Sequence, residues 1–282
     1  MLIIAERINA SRKQIAQAIS AGDRAFIQGE AKAQAQAGAH YIDVNAGTFV
    51  GEEADKLKWI VEAVQEVTEL PLSIDSPDAE VIKAVMPLLK KTPLINSITL
   101  EPSRIEEILP IVVAHKTKVI ALCQSGHGSA ETTERKVALA GQLVEKLTGA
   151  GVPLDDIYID PLVFPLSTNP QSGNATLNAI GEIMMKFPGA HTICGLTNVS
   201  YGLPARKLVN RAFLAAAIRS TILALFKIKF FISWVIVITS AITRRPLYPG
   251  WLQDSQPWVL GNFSGISKTA PGFIFFKFSI IS

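Results

Sequence analysis

Short apolar runs alternate with longer amphipathic segments from Leu2 to about Ile218. The runs predict strands over Leu2–Ile8, His40–Asn45, Pro71–Asp75, Leu94–Ser97, Lys118–Cys123, Ile157–Asp160 and Thr192–Asn198. Between them, apolar positions recur every three to four residues, predicting helices that include Asp55–Thr68, Asp78–Leu89, Ser103–His115, Thr133–Thr148 and Ala205–Ile218. Turn chemistry agrees with these limits: Gly38, Gly149 and Gly151 follow helices, while Pro71, Pro93 and Pro153 stand at or just before strands. Seven strand–helix units in strict alternation imply a parallel sheet with helical crossovers. An open doubly wound sheet competes with a (β/α) barrel. Regular spacing without a glycine-rich phosphate loop favours the barrel. The expected class is therefore α/β, a TIM-type (β/α)8 barrel whose eighth unit is missing or aberrant, because no such unit follows Ile218.

Charge divides the chain at the same place. Residues 1–218 hold 23 of the 24 acids and 20 of the 27 bases, a net charge of −3. Residues 219–282 hold only Asp254 against seven bases, and 12 of the 21 aromatic residues. The expected organisation is thus a barrel over 1–218 and an aberrant, basic, hydrophobic tail over 219–282. Three readings of the tail compete: a frameshifted or rearranged end, a membrane anchor, and a divergent eighth unit. The anchor would be the uncharged run Phe230–Ile242, whose 13 residues fall short of the ~20 that span a bilayer. No membrane span is expected. The mildly acidic barrel gives no reason to expect nucleic acid. The start has too short an apolar run for a secretory signal, and Cys123 and Cys194 lie in apolar strands as small core residues, so a reduced cytoplasmic setting is expected.

Candidate chemistry comes from where the polar residues fall. Strand two ends Ile42-Asp43-Val44-Asn45, strand three Ser73-Ile74-Asp75-Ser76, strand four Ile95-Asn96-Ser97 and strand six Ile159-Asp160-Pro161. Strand seven runs through Gly195-Leu196-Thr197-Asn198, and strand one leads into Glu6-Arg7-Ile8-Asn9. One Asp or Asn past a strand is usually a turn-former or an N-cap. Their recurrence at the same end of successive strands gathers them at the C-terminal mouth, where this fold carries its active sites. Carboxylates and amides without a basic cluster suit a flat heterocycle rich in N–H donors, such as a pterin ring. His40, His115, His127 and His191 lack metal-ligand spacing, and Gly126-His127-Gly128 reads as a loop without the glycines and lysine of a phosphate cradle.

Five stretches resemble the methyltetrahydrofolate:corrinoid methyltransferases, relatives of the folate module of cobalamin-dependent methionine synthase. They are Ile3–Asn9, Tyr41–Gly47, Leu72–Ser76, Leu94–Ser97 and Gly195–Pro204, with Arg206, Asn210 and Arg211 extending the last. The resemblance implies a pterin-binding barrel in which Asp75, Asn96 and Asp160 hold the ring, with Asp43, Asn45, Asn9 and Gly195 as further pterin-binding positions. It places Asn198 as the catalytic residue beside N5. It also implies 5-methyltetrahydrofolate as methyl donor, a corrinoid supplied by a partner protein, no metal ligand from this chain, and a homodimer as one possible assembly. Ala5 departs from the family's usual glycine. Dihydropteroate synthases share the barrel, but their first strand leads into an Asn-x-Thr type loop where this chain has Asn9-Ala10-Ser11-Arg12. Two alternatives stay open: a catalytically inactive pterin binder, including a membrane-tethered accessory, and a dihydropteroate synthase-like enzyme.

Overall fold

The computed structural model describes residues 1–126, 128–225 and 274–278. The seven expected strands form: β1 (Leu2–Asn9), β2 (Tyr41–Asn45), β3 (Leu72–Asp75), β4 (Leu94–Ile98), β5 (Lys118–Leu122), β6 (Ile157–Asp160) and β7 (His191–Gly195). Eight helices lie among the described residues: α1 (Lys13–Ala21), α2 (Arg24–Gln36), α3 (Glu53–Gln65), α4 (Ala79–Val85), α5 (Pro102–His115), α6 (Thr133–Gly149), α7 (Ser172–Lys186) and α8 (Arg206–Leu225). Local chemistry sets several starts. Asp23 accepts from the Phe26 N–H at α2, Asp78 from the Glu80 N–H at α4, and Thr132 from the Arg135 N–H at α6, each satisfying an otherwise orphaned helix donor. The strand-five loop is flanked by a small antiparallel pair, Gln124–Ser125 with Gly128–Ser129; His127 lies outside the described residues.

An eighth strand, β8 (Ile274–Phe278), closes the barrel. It runs parallel to both neighbours, with Leu2 opposite Phe275 on β1 and Ile193 opposite Phe275 on β7. The expectation that nothing after Ile218 supplies this strand is corrected, whereas its aberrant placement holds: residues 226–273 stand between α8 and β8. The physical reason is plain. Without β8 the edges of β1 and β7 would present unpaired N–H and C=O groups, and Ile274-Phe275-Phe276-Lys277-Phe278 is, Lys277 apart, a run of strong β-formers. The charge break at 218/219 falls inside α8, where Thr221 and Ala224 are buried. The segment Phe230–Ile242 lies outside the described residues. No helix among the described residues is long and apolar enough to cross a membrane.

Side-chain alternation divides the strand residues between two main cores. Ile42, Val44, Ile74, Ile95, Val119, Ala121, Ile157 and Ile159 join the large cluster that packs the helices onto the barrel. Ile4, Tyr41, Leu94, Ile120, Tyr158 and Ile193 form a separate cluster. Six strands can send residues to one such cluster only across a barrel interior. A register shift between Ala5 and Ile8 on β1 lets Ile4 join the inner cluster and Ile8 the outer one despite their equal parity.

On β5 and β7 the inner positions at the N-terminal end are polar, Lys118 and His191. Lys118 Nζ meets Asp156 Oδ1 at 2.8 Å and lies 5.6 Å from the Tyr158 ring. His191 Nε2 meets Asp155 Oδ1 at 2.9 Å. Burial holds the His191 imidazole below its ordinary pKa, and the attraction of Asp155 does not offset it. Just below that ordinary value the unfolded chain therefore binds more protons than the folded one, so stability rises with pH there and is lost on acidification. Taking the pH from about 7 to about 5 should lower the thermal midpoint less in His191→Gln than in the wild type. Equal pH dependence in the two proteins, followed by calorimetry, would remove His191 from the account.

Candidate functional site

The inner parity that carries apolar side chains in mid-barrel becomes polar at the C-terminal ends. On β2 the alternation takes Tyr41 to Asp43 and Asn45, and on β4 it takes Leu94 to Asn96. On β3 Ser73 and Asp75 share the inner face, and on β6 Tyr158 leads to Asp160. Parallel register brings these ends side by side: Asp43 is opposite Ser73, Asp75 opposite Asn96, and Asn9 opposite Asn45.

A hydrogen-bond network spans three strands. Asp43, fully buried, accepts through Oδ1 from Ser73 Oγ at 2.6 Å and from Asn96 Nδ2 at 3.1 Å. The amide of Asn96 is thus anchored by its NH₂ group. Asn45 donates from Nδ2 to the Asp75 carbonyl at 3.1 Å and accepts at Oδ1 from the Gly47 N–H at 3.0 Å, so it stitches β2 to the end of β3. Just beyond, Ser76 Oγ donates to Glu53 Oε1 at 2.6 Å. Asn9 is less integrated: its Oδ1 accepts from the Ser11 N–H at 2.9 Å, which shapes the turn after β1.

Asp160 belongs to a second constellation. Its Oδ1 accepts from the Leu162 N–H at 2.8 Å, the turn geometry expected of an Asp followed by proline. Behind that turn lies Lys136 of α6, whose Nζ donates to the Pro161 and Leu162 carbonyls. The polar strand ends singled out Asp160 but not Lys136. A signal was available: Lys136, Ala140, Leu143 and Leu147 share the buried stripe of one helix, and a cation on such a stripe requires a polar partner. Asp160 also acts on the thiols nearby. Burial, reinforced by the Asp160 charge, pushes the Cys123 and Cys194 thiols up, which keeps both neutral as core residues.

The third part differs from expectation in its local structure. β7 ends at Gly195, and Leu196–Ser200 forms a 3-10 turn. Asn198 therefore stands on a turn past the strand, exposed to solvent. Arg206, at the start of α8, braces the turn by donating from Nε to Ser200 Oγ and from Nη2 to the Thr197 carbonyl, each at 3.1 Å. Gly195 has an ordinary negative φ of −72°, so its backbone does not require glycine. Space does: a Cβ there would sit 3.0 Å from Asn198 Nδ2. The bare residue leaves room for the amide. Gly195→Ala should accordingly displace the Asn198 side chain while leaving the thermal midpoint almost unchanged.

The described residues hold no group of three or more His, Cys, Asp and Glu suited to a metal ion. Acceptors at the mouth come from at least three strands, and the nearby amides supply both donors and acceptors. That donor set fits a planar ring edged with N–H groups.

Comparison with known proteins decides the family. The pterin-binding enzyme family matches residues 5–225. The chain belongs to the pterin-binding enzymes. Over 219 residues it is 42% identical to the methylcorrinoid:tetrahydrofolate methyltransferase of Eubacterium limosum, covering 76% of this chain and 80% of that one. It is 31% identical over 227 residues to the methionine synthase of Mycobacterium tuberculosis, spanning 76% of this chain and 19% of the much longer relative. The resemblance to the methyltetrahydrofolate:corrinoid methyltransferases therefore stands, and with it membership of an enzyme family of the transferase kind. Among solved structures, dihydropteroate synthase from Thermus thermophilus superposes with a TM-score of 0.59 at 19% identity, covering 78% of this chain and 84% of that one. That likeness shows a shared barrel.

Proposed function

We propose that this pterin-binding enzyme moves a methyl group between N5 of tetrahydrofolate and the cobalt of a corrinoid carried by a partner protein. 5-Methyltetrahydrofolate is the donor when the methyl group moves toward the corrinoid. The observation that carries this reading is the polar ring at the C-terminal mouth, three strand ends joined through Asp43, beside a glycine that leaves room for the Asn198 amide.

Asp75, Asn96 and Asp160 hold the pterin ring, taking and giving hydrogen bonds along its edge. Asp43 fixes which way Asn96 presents its free oxygen, since the NH₂ group of Asn96 already donates to Asp43. Asn45, Asn9 and Gly195 shape the rim. Asn198 acts at N5. A neutral tertiary amine is a poor leaving group: as the methyl group departs, N5 keeps the bonding pair and takes a proton from solvent, and a hydrogen bond from Asn198 that strengthens as negative charge gathers on N5 lowers the barrier without tightening the ground state. The corrinoid supplies the cobalt nucleophile that takes the methyl group. A site complementary to the transition state serves the step in either direction, so the opposite order in the name of the Eubacterium relative is compatible with this geometry. The partner brings its own cobalt, so this chain needs no metal ligand. A homodimer is compatible with the same reading.

The test mixes the purified chain with 5-methyltetrahydrofolate and a free Co(I) corrinoid and follows the loss of Co(I) absorbance by stopped flow. Loss that depends on both enzyme and donor is expected. Tight folate binding without any such loss would convert the reading to an inactive pterin binder. For ring recognition, Asp160→Ala should weaken binding by about 1–3 kcal/mol, the range for stranding polar partners. Isothermal titration with unchanged affinity would remove Asp160 from the site. Gly195→Ala should reduce methyl transfer about ten-fold through the displaced Asn198 amide, a fraction of what deletion of such an amide costs. An unaltered rate would show that this contact is immaterial.

A further inference from the structure

Lys136 is fully buried, and no larger side chain is buried as completely among the described residues. A lone lysine there would be costly, because removing an ammonium from water is compensated only by close polar partners. Its partners are specific. Nζ donates to the Pro161 carbonyl at 2.5 Å and to the Leu162 carbonyl at 2.6 Å, and it lies 4.9 Å from the Phe164 ring centroid. All three belong to the loop that follows Asp160.

The middle residue of that loop explains the need. Leu162 has φ +59°, a left-handed conformation that a residue with a Cβ adopts only when its surroundings hold it. Both ends of the residue are held. The N–H donates to Asp160 Oδ1, and the carbonyl accepts from Lys136 Nζ and from Thr176 Oγ1 on α7 at 3.2 Å. One chain of contacts thus runs from the lysine through the Leu162 peptide to the Asp160 carboxylate.

We propose that Lys136 is a positioning residue for pterin recognition, its buried ammonium locking the Pro161–Leu162 turn that sets the Asp160 carboxylate for the ring. This inference rests on the reading of Asp160 as a ring contact. Lys136 acts through the turn and touches no reacting atom. The charge adds a second effect, because a cation behind the turn favours the anionic acceptor in front of it. Burial lowers the Lys136 pKa to about 8, and the negative charges of Asp160 on β6 and Glu131 ahead of α6 pull it back up only in part. The charged form therefore dominates below about pH 8 and is lost above it. A neutral amine can still donate, but without the charge that strengthens both carbonyl bonds.

The experiment measures the affinity of the full chain for 5-methyltetrahydrofolate across this pH range in wild type, Asp160→Asn, Lys136→Met and the double variant. Methionine keeps the apolar stem and removes the charge and the donors. Wild-type affinity should decline as the pH rises through about 8. Lys136→Met should bind about ten-fold more weakly at pH 7, with a flat profile, and should add nothing in the Asp160→Asn background. A merely structural lysine would lower stability without abolishing the pH profile. If Asp160→Asn binds normally, the ring-contact reading fails and the proposal falls with it. If Asp160→Asn binds weakly but Lys136→Met binds normally, the proposal alone is overturned. Should Lys136→Met fail to fold, the profiles of wild type and Asp160→Asn decide: a sloped wild type beside a flat variant supports the assignment, and a flat wild type overturns it.

Discussion

Replacing Asn198 by alanine is expected to slow methyl transfer by about 10²–10³-fold, the range for losing one pre-aimed amide donor, while folate affinity hardly changes. The separation follows from charge development. A methylated N5 is a weak acceptor before reaction, whereas the departing nitrogen becomes a strong one, so the amide contributes mainly in the transition state. The structure supports a specific donor at this position. Asn198 stands exposed on a braced 3-10 turn, with Arg206 bonded to both Thr197 and Ser200, and the absence of a Cβ at Gly195 leaves the amide its place. The check is a stopped-flow rate at saturating donor paired with a titration of the donor alone. Parallel losses in both would make Asn198 a binding residue, and no loss in either would reduce Gly195–Ser200 to a well-formed turn.

Asp43→Ala is expected to have the largest effect on stability among the mouth residues. Asp43 Oδ1 receives two donors in a fully buried setting. Removing it strands the Ser73 hydroxyl and the Asn96 amide, each at about 1–3 kcal/mol, so a combined loss of about 2–5 kcal/mol is expected. Folate affinity should fall as well, because Asn96 loses the bond that orients it. Asp43→Asn supplies the internal control: its amide oxygen can still accept both bonds, and most of the stability should return. Urea unfolding at constant m-value distinguishes the two variants. If alanine and asparagine were equally mild, the three-strand network would not be organising the mouth.

The barrel class was legible because a strand buried on both faces and a helix buried on one leave different periods in the sequence. Seven strands and the helices expected between them emerge within a few residues of where those periods placed them, except that the last helix runs on to Leu225, past its expected end at Ile218. The residues of the mouth were legible for a related reason. Polar ends on apolar strands have few uses in a barrel other than the rim, and Asp43, Asp75, Asn96 and Asp160 lie at those strand ends. The eighth strand was not legible, because its recognition depended on finding it directly after α8. Pairing in a sheet is indifferent to sequence separation once both edges are available, and Ile274–Phe278 meets them from far along the chain.

What the sequence determined by itself was therefore local and periodic: which segments become strands and helices, which face of each is apolar, and at which ends polar groups collect. What only the tertiary structure decided was which of those polar groups meet. Asp43 with Ser73 and Asn96, Lys136 behind the Asp160 turn, and Gly195 beneath Asn198 each join residues whose relation depends on strand register, helix rotation or the absence of one atom. Hydrophobic periodicity is written into neighbouring positions by backbone geometry, whereas a hydrogen bond between distant strands is fixed only when the barrel closes and sets every register at once.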